Sequence, residues 1–338
     1  MERKVNMKKN YVVSLLAAAL ALFVLFSCST LKELGLAPSV SLKAVSLASV
    51  DFDGITFNCD YSVSNPLPVG ISIKKVAADV VYESNTFTSL TADEGVKVKA
   101  LGSQTNKLSF KVPYDTILSF ASSSKSSSKT SLPFKINGKV SLDFNGAALA
   151  ESLASDLPFS VDFDVPVFKP SLSLSNPKVQ VPSLTELKDS FVSGGMNIVK
   201  AATVAAAIIG GQSVADSVFD GIDLDFKVSF NLNVANSGSA PWKYVLNSCS
   251  LTTSSGNAIQ LDAGSNNEIT SSSGTIPVTA KLNTLTAGKF IVQLLNKKGG
   301  NPTFTFDSGL SFTELSYAPN IPLAYSKEVP LSNFGISK

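Results

Sequence analysis

Three cysteines, two runs of aspartate and a few glycine pairs are the residues whose types and spacing could support chemistry. Cys28 stands directly behind a long apolar stretch, between Ser27 and Ser29, where a thiol is placed for modification at a membrane surface. Cys59 and Cys249 fall in different halves of the chain. In an oxidising compartment they could pair, but they lie on strands that are not equivalent, and separate, half-buried free thiols are expected. Asp51, Asp53 and Asp60 form one acidic run, and Asp216, Asp220, Asp223 and Asp225 another. Alternate oxygen ligands suit calcium, yet neither run has the spacing of a calcium loop, and strand alternation turns several of these side chains to solvent. Gly194-Gly195 and Gly210-Gly211 lack the Lys-Ser or Lys-Thr that completes a phosphate loop. Ser124-Lys125-Ser126 sits in a serine-rich stretch with nothing around it to form a pocket. No Gly-x-Ser-x-Gly elbow occurs.

Histidine is absent from all 338 residues. That removes the commonest general base and metal ligand near neutral pH, and with it Ser-His-Asp and Cys-His catalysis and imidazole-ligated zinc. The expectation is a chain that is not an enzyme and holds no metal or cofactor. Carboxylate chemistry stays open on paper. It would require paired acidic groups with perturbed pKa values in a cleft.

The leader carries Arg3, Lys4, Lys8 and Lys9, then an apolar run from Tyr11 to Phe26 broken only by Ser14. A basic region, an apolar region and a small residue at the cut describe a secretory signal, and this run is shorter than the ~20 residues that span a bilayer. Leu25-Phe26-Ser27-Cys28 resembles a bacterial lipobox, in which cleavage precedes a cysteine that becomes lipid-modified. Phe26 departs from the usual small residue. The alternative is an uncleaved N-terminal anchor with an incidental cysteine. Ser29 is not the aspartate associated with inner-membrane retention. The expected location is therefore the bacterial cell envelope, lipid-anchored through Cys28, with the outer membrane favoured over the inner. Without the leader, 24 basic and 25 acidic residues remain. No basic patch with interleaved aromatics marks a nucleic-acid surface.

The elements behind these residues are mostly strands. Ile55, Phe57, Cys59, Tyr61 and Val63 alternate with polar residues, the period of a strand with one buried face. The pattern returns at Phe226, Val228, Phe230, Leu232 and Val234, and the two runs end on Asn65 and Asn236. Pro38–Leu42 matches Pro170–Leu174, and Leu157–Val167 matches Ile321–Leu331. Three matches in one order argue for duplication of a domain. Further strands are expected at 71–82, 96–101, 107–112, 134–144 and 159–167, with turns at Asn65-Pro66 and Asn137-Gly138. Asp115 is expected to cap a short helix through Phe120 and Thr284 a longer one through Leu295, with a second short helix over 147–155. The stretches 122–131 and 264–274 read as solvated loops.

The second half carries extra residues before its main strand. Ser183-Leu184-Thr185-Glu186 has the form of a capping box, and helical stretches 184–193 and 196–209 follow, separated by Gly194-Gly195. One reading is a helical hairpin packed on its own sandwich. The other is an apolar element that contacts lipid or a partner protein through Met196, Ile198, Val199, Val204, Ile208 and Ile209.

Val63-Ser64-Asn65-Pro66-Leu67-Pro68-Val69-Gly70-Ile71-Ser72-Ile73, followed by Val80-Val81-Tyr82, resembles the LEA type 2 domain of the late-embryogenesis-abundant group, also called the WHy domain. The copy at Val234-Ala235-Asn236-Ser237-Gly238 keeps the asparagine but has Ser237 for proline. The resemblance implies compact seven-stranded sandwiches with one or two helices, a part in tolerating dehydration or other stress, and no agreed biochemical activity. The expected fold is mainly β: two tandem antiparallel β-sandwich (Ig/fibronectin-III-like) domains with short helices and a helical insertion in the second. The expected bounds are 1–27 for the signal peptide, 28–37 for the tether, 38–169 and 170–338 for the two sandwiches, and 183–219 for the insert. The expected function is a membrane-anchored, non-catalytic structural or interaction module. Its partners would be the membrane, a lipid or an envelope protein, and not nucleic acid. The alternative is a lipid-binding or lipid-transfer module.

Overall fold

Alternation in the sequence becomes strand pairing in the computed structural model, which describes residues 37–92, 95–123, 129–144 and 156–337. Cys28, its leader, most of the 28–37 tether and the expected helix over 147–155 lie outside the described residues. The first half runs β1 (Ser39–Val50), β2 (Gly54–Asn65), β3 (Ile71–Tyr82), β4 (Asn85–Ala92), β5 (Val96–Val98) and β6 (Gly102–Pro113). Helix α1 (Tyr114–Ser123), β7 (Ser131–Asp143) and β8 (Asp156–Pro166) follow. The second half starts with β9 (Pro170–Gln180), α2 (Leu184–Ser193), α3 (Ile198–Ile209), β10 (Asp225–Asn236), β11 (Trp242–Thr252) and β12 (Ala258–Leu261). It continues with β13 (Glu268–Ile269), β14 (Ser273–Asn283), α4 (Thr284–Asn296), β15 (Thr303–Phe312), β16 (Ile321–Glu328) and β17 (Gly335–Ser337).

The strands form four sheets, ordered β1-β2-β6, β4-β3-β7-β8 with β5 also on β3, β14-β10-β9-β17, and β12-β11-β15-β16 with β13 also on β11. Apart from β17, the two halves therefore repeat one strand order and one pairing scheme. The chain condenses into two units. Of the described residues, one unit holds those from 37 to 47 and those within Thr56–Lys111 and Leu132–Val165; the other holds Ala48–Ile55 and those within Val112–Ser131 and Pro166–Lys338.

Period two puts the apolar face of each main strand inside. Ile55, Phe57, Cys59, Tyr61 and Val63 on β2 are fully buried, as are Phe226, Val228, Phe230, Leu232 and Val234 on β10. Sheet meets sheet through aromatic rings. Phe163 of β8 lies 5.3 Å from Phe57 and 5.7 Å from Phe110, and Phe230 lies 5.6 Å from Phe304. Offset and edge-on ring pairs of this kind add to the area they bury. In the second half the three-residue β17 runs parallel to β9 and brings Phe334 against Phe230 at 5.4 Å.

The two asparagines are structural. Asn65 Nδ2 donates to the carbonyls of Val69 (2.8 Å) and Lys99 (3.0 Å), and its Oδ1 accepts from the Leu67 amide. Asn236 does the same in its turn, donating to Ala240 O and accepting from the amides of Gly238 and Lys169. Each amide replaces ladder partners that the turn has removed.

Several local expectations change. Asn137-Gly138 is not a turn: it lies inside β7, paired with Asp79 and Ala78 of β3. A Cβ on Gly138 would come within 2.3 Å of Phe159 Cζ and 2.8 Å of Ala77 O. The glycine makes room for a ring, as glycines within strands often do. Gly138→Ala is expected to lower stability by about 1–3 kcal/mol through overpacking, measured by denaturant unfolding; an unchanged midpoint would sink that account. Helix α1 starts at Tyr114, so Asp115 lies in its first turn rather than capping it. Asn283, not Thr284, caps α4. The stretch 264–274 contains β13, and 122–131 includes the end of α1.

Candidate functional site

Gln180 ends β9 and Asp225 begins β10, and between them the chain builds a helical insert. The corresponding link between β1 and β2 is the short turn at 51–53. In that turn Asp51 Oδ1 accepts from the amides of Asp53 and Gly54. Helix α2 opens on the expected capping box: Ser183 N donates to Glu186 Oε2 (2.8 Å) and Glu186 N to Ser183 Oγ (3.2 Å). The turn after it uses Gly195 at φ +91°, a conformation glycine adopts without strain. Asn197 then caps α3 by accepting from Lys200 N at 2.8 Å, so α3 starts at Ile198 and Met196 stays in the turn.

Leu187 and Phe191 on α2 are fully buried. Phe191 stacks on Phe219 at 5.9 Å, and Phe219 meets Phe226 of β10 edge-on at 5.3 Å. The inward line of α3 is Ala201, Ala205 and Ile208, spaced i, i+4, i+7 along one face. The chain leaving the hairpin is clamped to the end of α4, where Val214 and Asn296 exchange two hydrogen bonds of 2.8 Å. Closer to the sheet, Thr284 Oγ1 donates to Ile222 O and accepts from Leu224 N.

The six apolar residues expected to meet lipid or a partner are therefore split. Ile208 is a core residue at 1% exposure, Ile198 and Val199 are 62% and 74% exposed, and Met196, Val204 and Ile209 are half-buried. Sequence reasoning missed Val192 and Leu184, which α2 also exposes. The signal was present: Leu187 and Phe191 define the inward face, and Val192, one residue further on, turns about 100° away from it. Val192, Ile198 and Val199 flank the Gly194–Asn197 turn. Three of the exposed apolar residues thus gather at the hairpin tip, while Leu184 stands at the far end of α2.

Beside α2 lies an open groove of about 1590 Å³, walled by the helix along its length and by residues of β10 and β14. Three of its charged groups, Asp223, Asp225 and Lys281, are already engaged. Lys281 Nζ sits 2.6 Å from Asp225, and Asn283 Nδ2 donates to both Asp223 and Asp225. The Lys281 hydrogen bond, and after it that from Asn283, holds the Asp225 carboxyl below its ordinary range. The Ser183 amide does the same for Glu186. A general acid needs a raised pKa, and these two are moved the other way. Among the described residues no group of aspartate, glutamate or cysteine side chains could hold a metal.

Cys59 and Cys249 are free thiols, and both are buried rather than half-buried. Burial, with Asp60 adding to it, pushes the Cys59 thiol up to about 11. Burial and then Asp262 do the same for Cys249, whose Sγ lies 3.4 Å from Leu261 O. Thiols of this kind are inert, because the thiolate is the reactive form.

A family model described as late embryogenesis abundant protein matches residues 60–152. Among solved structures, the chain is similar to a solution structure of a putative late embryogenesis abundant protein, with 20% identity and a TM-score of 0.30, covering 49% of this chain and 88% of that one. A solution structure from Arabidopsis thaliana is 17% identical over 38% of this chain and 80% of its own, with a TM-score of 0.29. A crystal structure of a protein from Archaeoglobus fulgidus is 12% identical over 37% and 97%, with a TM-score of 0.30. No curated protein matches the chain.

Proposed function

We propose, from the basic and apolar leader that ends at Cys28 and from the match of residues 60–152 to the late-embryogenesis-abundant model, that this chain is a lipid-anchored, stress-related envelope protein. Its mature part would be a duplicated sandwich, acting as a non-catalytic interaction module with a role in dehydration or other stress. The observation that carries the module reading is repetition: β1 to β8 and β9 to β16 share one order and one pairing scheme. Duplication of a domain accounts for the shared scheme and for the two asparagine-closed turns. The leader and Cys28 supply the anchor. In the coupling, the Cys28 sulfur takes a diacylglyceryl group from a phospholipid, the thiol proton leaves with the displaced phosphate headgroup, and the Ser27–Cys28 peptide bond is hydrolysed. Two or three acyl chains, at about 0.8 kcal/mol per buried methylene, hold a protein stably at a bilayer.

Lipid transfer through a groove between the sheets is the second reading. It has less support, because Phe57, Phe110 and Phe163 in the first half and Phe230, Phe304 and Phe334 in the second fill that space.

Counting thiols tests the anchor. Protein purified from the membranes of a lipoprotein-processing bacterium should show two reactive thiols in denaturant, Cys59 and Cys249, since a thioether blocks Cys28. The native protein at pH 8 should show neither quickly, with reaction rising only as pH nears the raised thiol values of about 11. Intact mass should fit residues 28–338 plus acyl groups. Three thiols and a mass that retains the leader would remove the anchor from the proposal.

A further inference from the structure

The hairpin α2–α3 presents its apolar residues in an order that its own packing does not require. A helix that only covers a core places its largest apolar side chains inward and polar ones outward. Helix α3 does the reverse at its start: the buried line is Ala201, Ala205 and Ile208, while Ile198 and Val199 project into solvent. Across the turn Val192 is also exposed, at 40%. From Ser190 to Ala207 the one charged residue is Lys200, an exposed cation. No described helix is long and apolar enough to cross a membrane, and the twelve residues of α3 extend only about 18 Å. The tip can enter an interface but cannot span one.

We infer that the hairpin tip is a second membrane contact, seating Val192, Ile198 and Val199 among the headgroups and upper acyl chains with Lys200 beside the lipid phosphates. The choice of a bilayer as occupant rests on the proposed anchor. Between Cys28 and the start of β1 lie ten residues, a tether that reaches at most about 35 Å even when fully extended, so the start of β1 stays close to a lipid surface. Insertion of an apolar tip with a cation at its edge is the form that interfacial helices take. The first half has no such insert, so only the second would make this contact.

The test places a single environment-sensitive fluorophore on the full-length acylated protein, at V199C and separately at V192C, with L285C as control. Leu285 is an equally apolar side chain, 60% exposed on α4. Buried Cys59 and Cys249 leave the new thiol as the site that labels. The proteins are incorporated into phosphatidylcholine vesicles, with or without phosphatidylglycerol, some carrying a nitroxide on the acyl chains. The expected result is a blue-shifted emission at 199 and 192, quenched several-fold more by the nitroxide lipid than at 285, and stronger with the anionic lipid. Protein that floats with the vesicles while 199 and 192 stay water-like overturns the tip contact and leaves the anchor intact. Equal quenching at all three positions means unspecific adsorption and also overturns it. Protein that does not float removes the anchor, and the bilayer as occupant falls with it.

Discussion

Phe168→Ala should lower the unfolding free energy by about 3–5 kcal/mol, the range for removing a large aromatic side chain from a packed site. Phe168 lies between two strands in sequence, where a solvated linker would be the ordinary expectation. Instead it is 0% exposed. Its ring meets Phe312 edge-on at 5.0 Å, Trp242 at 5.5 Å and Tyr114 at 6.0 Å. Removing it leaves a cavity bounded by three rings, and rings held by two strands and the start of α1 collapse poorly into such a gap. Trp242 is the protein's single tryptophan. It is 3% exposed, and its indole N–H donates to Ser271 O at 2.9 Å. Its fluorescence therefore reports both the loss of stability and any water entering the cavity. Denaturant unfolding followed at Trp242 should show a lowered midpoint, with Phe168→Leu giving a smaller loss because most of the volume is kept. A midpoint for Phe168→Ala within error of the parent would mean that this cluster contributes nothing to the unit's stability.

What the sequence revealed and what it concealed divide by range. The buried faces of β2 and β10 were legible because period two is a local signal, fixed by the pleat. The capping box at Ser183 and the helix pair behind it were legible for the same reason. Gly138 was not, because Asn-Gly reads locally as a turn, and only the ring of Phe159 arriving from β8 makes it a strand residue. Strand β17 could not be seen at all: three residues carry no period, and their pairing with β9 is decided by Phe334 finding Phe230. The candidate site shows the same split. The apolar character of 196–209 was plain. Which residues face outward depends on where Leu187, Phe191 and Phe219 sit, and so Ile208 went inside while Val192, unremarked in the sequence, came out.

Gly238→Ala should cost about 3 kcal/mol, at the upper end of what overpacking does, although it adds one methyl group in a turn. A Cβ there would lie 2.0 Å from Val167 O, 2.5 Å from Val167 C and 2.7 Å from Phe168 Cα. All three are backbone atoms, so no side chain can swing away. The turn is held against them by a close set of hydrogen bonds: Ser237 N to Lys169 O at 3.0 Å, Ala240 N to Val167 O at 2.9 Å, and Lys169 N to Asn236 Oδ1 at 3.1 Å. Relieving the clash means moving the two segments apart, which lengthens all three and disturbs the seat of Phe168. Gly256→Ala is the matched control. Gly256 has φ +87° and nothing within 4 Å of an added Cβ, so its cost is backbone strain alone, about 1 kcal/mol. Unfolding midpoints of the two variants separate the causes. If Gly238→Ala loses no more than Gly256→Ala, backbone conformation accounts for both and the close approach at Val167 is not tight. A loss at 238 about three times larger shows that the asparagine-closed turn needs glycine because the neighbouring backbone leaves no room for a side chain.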